Sequence, residues 1–200
     1  MKSFAIIFSV LLFSCEAGLV EPQISAKDLS ENEIASLQFM REEEKLARDV
    51  YLELYDEWGL QQFTNIAASE QKHTDAVKNL LESYQLTDPV ADDQRGVFVN
   101  QDLQQLYDDL VAAGKAGSIE ALKVGALIEE VDLVDLEDQS AQIDNASILH
   151  VYSQLAKGSR NHLRAYVSAL EAQGVVYEPE YLDLDTYTNI VTSEVERGRS

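Results

Sequence analysis

The sequence predicts an all-α protein, a four-helix bundle built from two helical hairpins and a long crossover that carries a short extra helix. Three observations lead there. Apolar residues recur at helical spacing in four long stretches. Only a few residues separate the first stretch from the second, and the third from the fourth. A long gap, from Asp88-Pro89 to Ser118, separates the two pairs.

The first helix opens at Ser30, where Glu33 stands three residues on in a capping-box pattern. Leu37, Met40, Glu44, Ala47, Tyr51, Leu54 and Trp58 then follow on one face, and the helix runs to about Glu57 before Gly59. The second helix takes Thr64 or Asn65 as its cap and carries Ile66, Glu70, His73, Val77, Leu80 and Tyr84, stopping before Asp88-Pro89. The short link makes this pair antiparallel neighbours.

Within the crossover, Asn100 caps a short helix with Leu103, Leu106, Tyr107 and Leu110 on one face, ending at Gly114 and expected over one end of the bundle. The third long helix, from about Ser118 to Gln139, places Leu122, Ala126, Glu129, Leu133 and Leu136 in a stripe. The fourth runs from about Asn145 to Gln173 before Gly174. Residues 30–174 thus form the bundle, and residues 175–200 read as an irregular tail.

The N-terminus has a different character. Met1-Lys2-Ser3 is a short basic start, and Phe4 to Phe13 is apolar but too short to span a bilayer. The run Leu12-Phe13-Ser14-Cys15 resembles a bacterial lipobox, which implies a signal peptide over residues 1–14 and lipidation of Cys15, with a plain secretory signal as the alternative. Residues 15–29 then form a flexible tether, and the protein is expected to be exported, as an outer-membrane lipoprotein anchored to the membrane by lipid. Cys15 is the sole cysteine, so no disulfide forms within the chain.

With 15 basic and 36 acidic residues the net charge is −21, which disfavours nucleic acid as a partner and favours cations. Most of that charge is expected on a solvated face. No nucleophile elbow, phosphate-binding glycine loop, dinucleotide fingerprint or zinc ribbon stands in the sequence, so hydrolase, kinase and Rossmann chemistries lack a motif.

The apolar stripes are interrupted at a few positions by residues able to hold a metal ion. Glu44 lies on the first helix, Glu70 and His73 on the second, Glu129 on the third and His162 on the fourth. Unpaired carboxylates in a core are costly, and a divalent ion removes the cost by sharing their charge. Glu70-Gln71-Lys72-His73 sets both ligand side chains on one helical face. A lone Glu-x-x-His is weak, whereas a ligand on each of four helices is a stronger signal. The competing reading has Glu44, Glu70 and Glu129 in buried salt bridges with Arg48, Arg160 or Arg164, and both histidines as hydrogen-bonding core groups. Tyr51, Tyr84, Tyr152 and Tyr166 read as packing residues with anchored hydroxyls, and His150 as structural or exposed.

Four segments carry a resemblance: Phe39-Met40-Arg41-Glu42-Glu43-Glu44-Lys45-Leu46-Ala47-Arg48-Asp49-Val50-Tyr51, Ser69 to His73, Ile128 to Leu133, and Gly158-Ser159-Arg160-Asn161-His162-Leu163-Arg164. In this order they resemble the bacterial ferritin-like family called domain of unknown function 2202, over roughly residues 34–190. The resemblance implies a ferritin-like fold and a centre holding one or two ions of iron or manganese on Glu44, Glu70, His73, Glu129 and His162. The Glu44-to-Tyr51 spacing is similar to the ligand-plus-tyrosine pattern of ferritins and rubrerythrins and singles out Glu44 over Glu43. Ser159 departs from the superfamily, which has a glutamate three residues before the last histidine, and Asp132, three residues after Glu129, is the substitute oxygen donor. Implied activities are oxygen or peroxide reduction by a non-haem iron or manganese oxidoreductase, or else non-catalytic metal capture or a structural bundle. A dimer is left open.

Overall fold

The computed structural model describes residues 29–197, and within them the chain forms six helices and no strand. They are α1 (Glu31–Trp58), α2 (Gln61–Ser83), α3 (Gln101–Gly114), α4 (Ser118–Ser140), α5 (Ala146–Ala172) and α6 (Leu184–Thr192). None of the described helices is long and apolar enough to cross a membrane. Cys15, the signal peptide and nearly all of the tether lie outside the described residues.

Helix α1 begins as its sequence dictates. Ser30 accepts from the Glu33 backbone N–H at 3.2 Å, and the Glu33 carboxylate accepts from the Ser30 N–H at 2.8 Å, closing the capping box. Gly59, at φ 66, ends the helix in the left-handed conformation that a residue without Cβ adopts freely. The turn is then so tight that α2 starts at Gln61 with Leu60 as an N-cap lacking a side-chain bond. Thr64 and Asn65 therefore lie inside the helix, and neither is the cap the sequence pattern suggested. Asn100 and Asn145 do cap α3 and α5, each accepting from two backbone N–H groups.

Cross-chain contacts fix the topology. Tyr51 meets Glu129 and Glu33 meets Asn145, so α4 runs antiparallel to α1. Ser36 meets Tyr152 and Tyr51 stacks on Tyr166, so α5 runs parallel to α1. The order is up-down-down-up, which needs one long connection between α2 and α4.

That connection does more than span. Asn100 N–H donates to Glu42 and the Gly114 carbonyl accepts from the Trp58 indole, so α3 runs alongside the C-terminal half of α1 and does not cap the bundle's end. Its apolar face fills the groove between α1 and α4. The loop before it wraps α1: Arg41 pairs with Asp88, Lys45 donates to the Gln94 carbonyl, and Arg48 pairs with Asp93. Residues 40–51, dense in charge, are consequently buried all round, so this share of the chain's charge lies off the solvated face.

The C-terminal segment is also ordered where the sequence suggested irregularity. Asp183 caps α6, whose Tyr187 and Ile190 are buried, and the fully buried Glu130 accepts from the Tyr177 hydroxyl and from the backbone N–H groups of 180, 181 and 182. The apolar interior divides into two clusters. One surrounds Tyr51, Leu54, Phe63 and Tyr166, and the other Leu37, Met40, Leu81 and Tyr152. Between the two levels lies a polar layer.

Candidate metal centre

Helical periodicity builds the polar layer. Glu44 sits on the face of α1 that carries Met40 and Tyr51; on α2, Glu70 and His73 are one turn apart between Ile66 and Val77. Across the bundle α4 contributes Glu129 and α5 contributes His162. Exposures of 1% for Glu44, 2% for Glu70 and Glu129 and 8% for His162 place the group in the interior.

Two sets of three ligand atoms converge: Glu44, Glu70 and His73, and Glu70, Glu129 and His162, with the atoms of each set within 4.8 Å of one another. Glu70 belongs to both. Its Oε2 lies 2.7 Å from Nδ1 of His73 and its Oε1 lies 2.7 Å from Nδ1 of His162. His73 Nδ1 is 3.2 Å from Glu44 Oε2, and His162 Nδ1 is 3.4 Å from Glu129 Oε2. Ligand atoms bound at about 2.1 Å to one small divalent ion are about 3 Å from their neighbours, and these separations are of that size.

Orientation strengthens the match. Glu70 Oε1 and His162 Nδ1, though close, do not form a hydrogen bond with each other, and with Glu44 Oε1 they are buried without any hydrogen-bond partner among the described residues. Native interiors rarely leave such groups unsatisfied. The arginines named as competitors are engaged elsewhere: Arg48 with Asp49 and Asp93, Arg160 with Glu196, and Arg164 with the Ile190 carbonyl, Ser193 and Glu196. The buried arginine–glutamate network is thereby corrected, because those guanidinium groups point out toward the crossover and the C-terminal segment.

The electrostatics follow. Burial, partly offset by His73, pushes the Glu44 carboxyl up to about 7. Burial opposes charge on His162 as well, but Glu70 and Glu129 prevail and raise its imidazole to about 10. Burial works against Glu70 too, yet the two imidazoles hold it well below the usual carboxylate range. Glu70 is thus the anion of the centre.

Asp132 enters the same layer differently. It is 6% exposed, takes a hydrogen bond from the Ser159 hydroxyl on Oδ2, and leaves Oδ1 without a partner. It stands outside both converging sets, beside the position where the fourth helix has serine. Tyr51 donates its hydroxyl proton to Glu129 Oε1 at 2.5 Å, so this tyrosine orients the Glu129 carboxylate as well as packing against Phe63 and Tyr166. His150 is exposed and plays no part.

Two residues that periodicity did not single out also shape the centre. A Cβ on Gly158 would collide with the His73 imidazole, and one on Gly125 with the Tyr166 ring. Each glycine lets a ring reach the polar layer. Gly158 stands inside the quoted segment of α5, and its small size was the available signal.

The sequence pattern of the family described as an uncharacterized protein domain, DUF2202, matches residues 33–194. The protein MJ0754 of Methanocaldococcus jannaschii, described as uncharacterized, is 52% identical over 170 residues, which are 85% of this chain and 92% of that protein. Its crystal structure, described as that of a hypothetical protein, superposes with a TM-score of 0.83 and covers 84% of this chain and 96% of the other. That relative is archaeal, so the bacterial label that the resemblance carried is too narrow. A matched segment spanning the whole bundle and the C-terminal helix, with a relative of the same architecture, establishes that the chain belongs to the DUF2202 family.

Proposed function

We propose that this chain is a ferritin-like metal-binding protein whose buried centre holds two ions of iron or manganese and acts as an oxidoreductase on oxygen or peroxide. One observation carries the reading: Glu70 is shared between two converging sets of carboxylate and imidazole atoms with which no arginine or lysine pairs among the described residues. Carboxylate-rich sites with a few imidazoles suit iron and manganese. The up-down-down-up topology, with a ligand on each long helix, supports the ferritin-like assignment.

Glu44 and His73 would hold one ion, Glu129 and His162 the other, and Glu70 both. When bound, such ions supply electrons to a small oxidant by changing oxidation state. The chain's own residues prepare the site. The apolar clusters on either side keep bulk water out, and Tyr51 holds Glu129 Oε1 in one orientation. In the metal-free chain His73 Nδ1 and Glu44 Oε2 share a proton across their hydrogen-bond contact, and that proton would leave on binding of the ion.

Measurement of metal content on full chain purified without a metal-affinity tag tests the reading. At least two iron or manganese ions per chain, two of them lost in Glu70→Ala/His73→Ala, is the expected result; folded protein that refuses Fe(II) and Mn(II) overturns it. Ser159, in place of a fourth-helix carboxylate, favours a second reading in which the ions are captured without turnover. A loaded protein whose iron spectrum ignores added peroxide selects that second reading.

The envelope location belongs to the same proposal and rests on the lipobox-like Leu12 to Cys15. Mass spectrometry of chain taken from membranes of a Gram-negative host is expected to find an acylated Cys15, and Cys15→Ser to release the protein from the membrane. Unmodified Cys15 in a soluble chain contradicts it.

A further inference from the structure

Glu43 is the neighbour of a ligand, yet it belongs to neither converging set. It is 5% exposed, and neither of its carboxylate oxygens meets an N–H or hydroxyl donor among the described residues, while the carboxyl of Asp135 stands within hydrogen-bond reach of it. With Asp132, whose Oδ1 is equally unpartnered, it lines a small cavity enclosed by α1, α3 and α4, of about 40 Å³. The rest of the wall is apolar, apart from the hydroxyl-bearing Tyr181, which is 59% exposed and sets the cavity one side chain below the surface.

The charges acting on this pair are of one sign. Asp132, Asp135 and Glu44 bear on Glu43, while Glu44, Glu129 and Glu70 bear on Asp132. No lysine, arginine or histidine is among the groups that weigh most on either carboxyl. Two buried carboxylates facing one void with free lone pairs call for a positive partner. A hard divalent ion is commonly held by one or two carboxylates, with water completing its shell. The cavity has room for about one to three water-sized groups.

We propose that Glu43 and Asp132 hold a third divalent cation, Fe(II) or Mn(II), in this cavity between α1, α3 and α4, beside the dinuclear centre and on the side nearer the surface. The site deepens the metal reading and rests on it in one respect, the class of ion. Asp132 joins the two regions: it lines the cavity, and its Oδ2 is held by Ser159, one turn before His162. A cation at Glu43 therefore stands on a path from Tyr181 to the centre, and the site acts as its antechamber.

The test uses the full chain, stripped of metal and dialysed to saturation with Mn(II). Ions are counted by mass spectrometry and located by anomalous scattering at the manganese edge in crystals soaked with the same ion. Three ions per wild-type chain are expected, with one anomalous peak between Glu43 and Asp132. Glu43→Gln, nearly identical in shape, is expected to lose that peak, retain the other two and melt no lower than wild type. Glu70→Ala/His73→Ala is expected to keep the peak at Glu43. Two ions in wild type, with none at Glu43, overturn the third site and leave the dinuclear reading standing. A peak at Glu43 alone overturns the dinuclear reading and leaves this one, and a chain that takes no ion overturns both. If Glu43→Gln fails to fold, the wild-type map decides by itself.

Discussion

Oε1 and Oε2 of Glu70 face two different histidines, with His162 Nδ1 2.7 Å from one oxygen and His73 Nδ1 2.7 Å from the other. A carboxylate placed this way has a different part in the centre from its neighbours. Glu70→Ala is expected to abolish binding of both ions, whereas His73→Ala and His162→Ala each remove the ion on their own side and retain the other. Metal counting on the three variants checks this, and equal losses in all three would contradict a shared ligand.

Loading the centre stabilises the fold, because the unfolded chain has no preformed site. At a free ion concentration about 100 times Kd the gain is about 2.7 kcal/mol per ion. At about 2–4 °C per kcal/mol for a chain of this length, Tm rises by roughly 5–11 °C for each ion, or about 11–22 °C for two. Calorimetry with Mn(II), and reversal by a chelator, measures the shift. A Tm indifferent to both would separate the fold from metal.

Proton linkage has a definite sign in the metal-free protein. Glu44 is raised from 4.5 to about 7 and His162 from 6.5 to about 10, so the folded state binds more protons than the unfolded one across this range. Stability contributed by these groups is complete below their unfolded values and is lost as pH rises through the folded ones. Metal-free protein is expected to melt progressively lower from about pH 5 to pH 10. Metal binding displaces the same protons, so affinity for Mn(II) rises over the window in which stability falls. Thermal melts with chelator and titrations in buffers of different ionisation heat test the two halves.

Gly158 gives a test that leaves every ligand in place. Its Cβ would occupy the space of the His73 imidazole, so Gly158→Ala has to push that ring out of the centre. Overpacking of this kind costs about 1–3 kcal/mol, and the ion held by Glu44 and His73 is expected to be lost while the one at Glu129 and His162 stays. Denaturant unfolding and metal counting on one preparation read both effects.

Much of the bundle was legible because its signals are local. The Ser30–Glu33 box, the asparagine caps and the 3.6-residue stripes mark where α1, α3, α4 and α5 begin and which faces they bury. Glu44, Glu70, His73, Glu129 and His162 stood out as polar residues interrupting apolar stripes, and the structure brings all five together. Long-range partners left no such mark. Arg41, Lys45, Arg48 and Asp49 are buried because a distant crossover folds over them, and no local pattern points to that crossover. Glu43 is hidden for a related reason: periodicity distinguishes faces but does not report which of two adjacent glutamates meets a cavity built by α3 and α4. In α6, nine residues are too few for a clear period, and the helix owes its place to burial of Ile190 and to Arg164 donating to the Ile190 carbonyl.

Glu130 shows how one buried carboxylate organises the C-terminal segment. It collects the Tyr177 hydroxyl and three consecutive backbone N–H groups. Glu130→Ala would leave those donors without an acceptor, and a loss of about 3 kcal/mol is expected in urea unfolding, since hydrogen bonds to a charged acceptor contribute about 1.5–3 kcal/mol each but part of the loss is recovered by water. Proteolysis should then cut first between 175 and 183. An unchanged unfolding midpoint would remove Glu130 from this role.

The metal–metal distance is the most direct measure of the central claim. X-ray absorption at the iron or manganese edge of the loaded protein is predicted to show a metal neighbour at about 3.5–4 Å, the spacing of two-metal sites that share a carboxylate, in a shell of oxygens with about one imidazole nitrogen per ion. A spectrum of isolated ions with no metal neighbour would contradict the dinuclear centre bridged by Glu70.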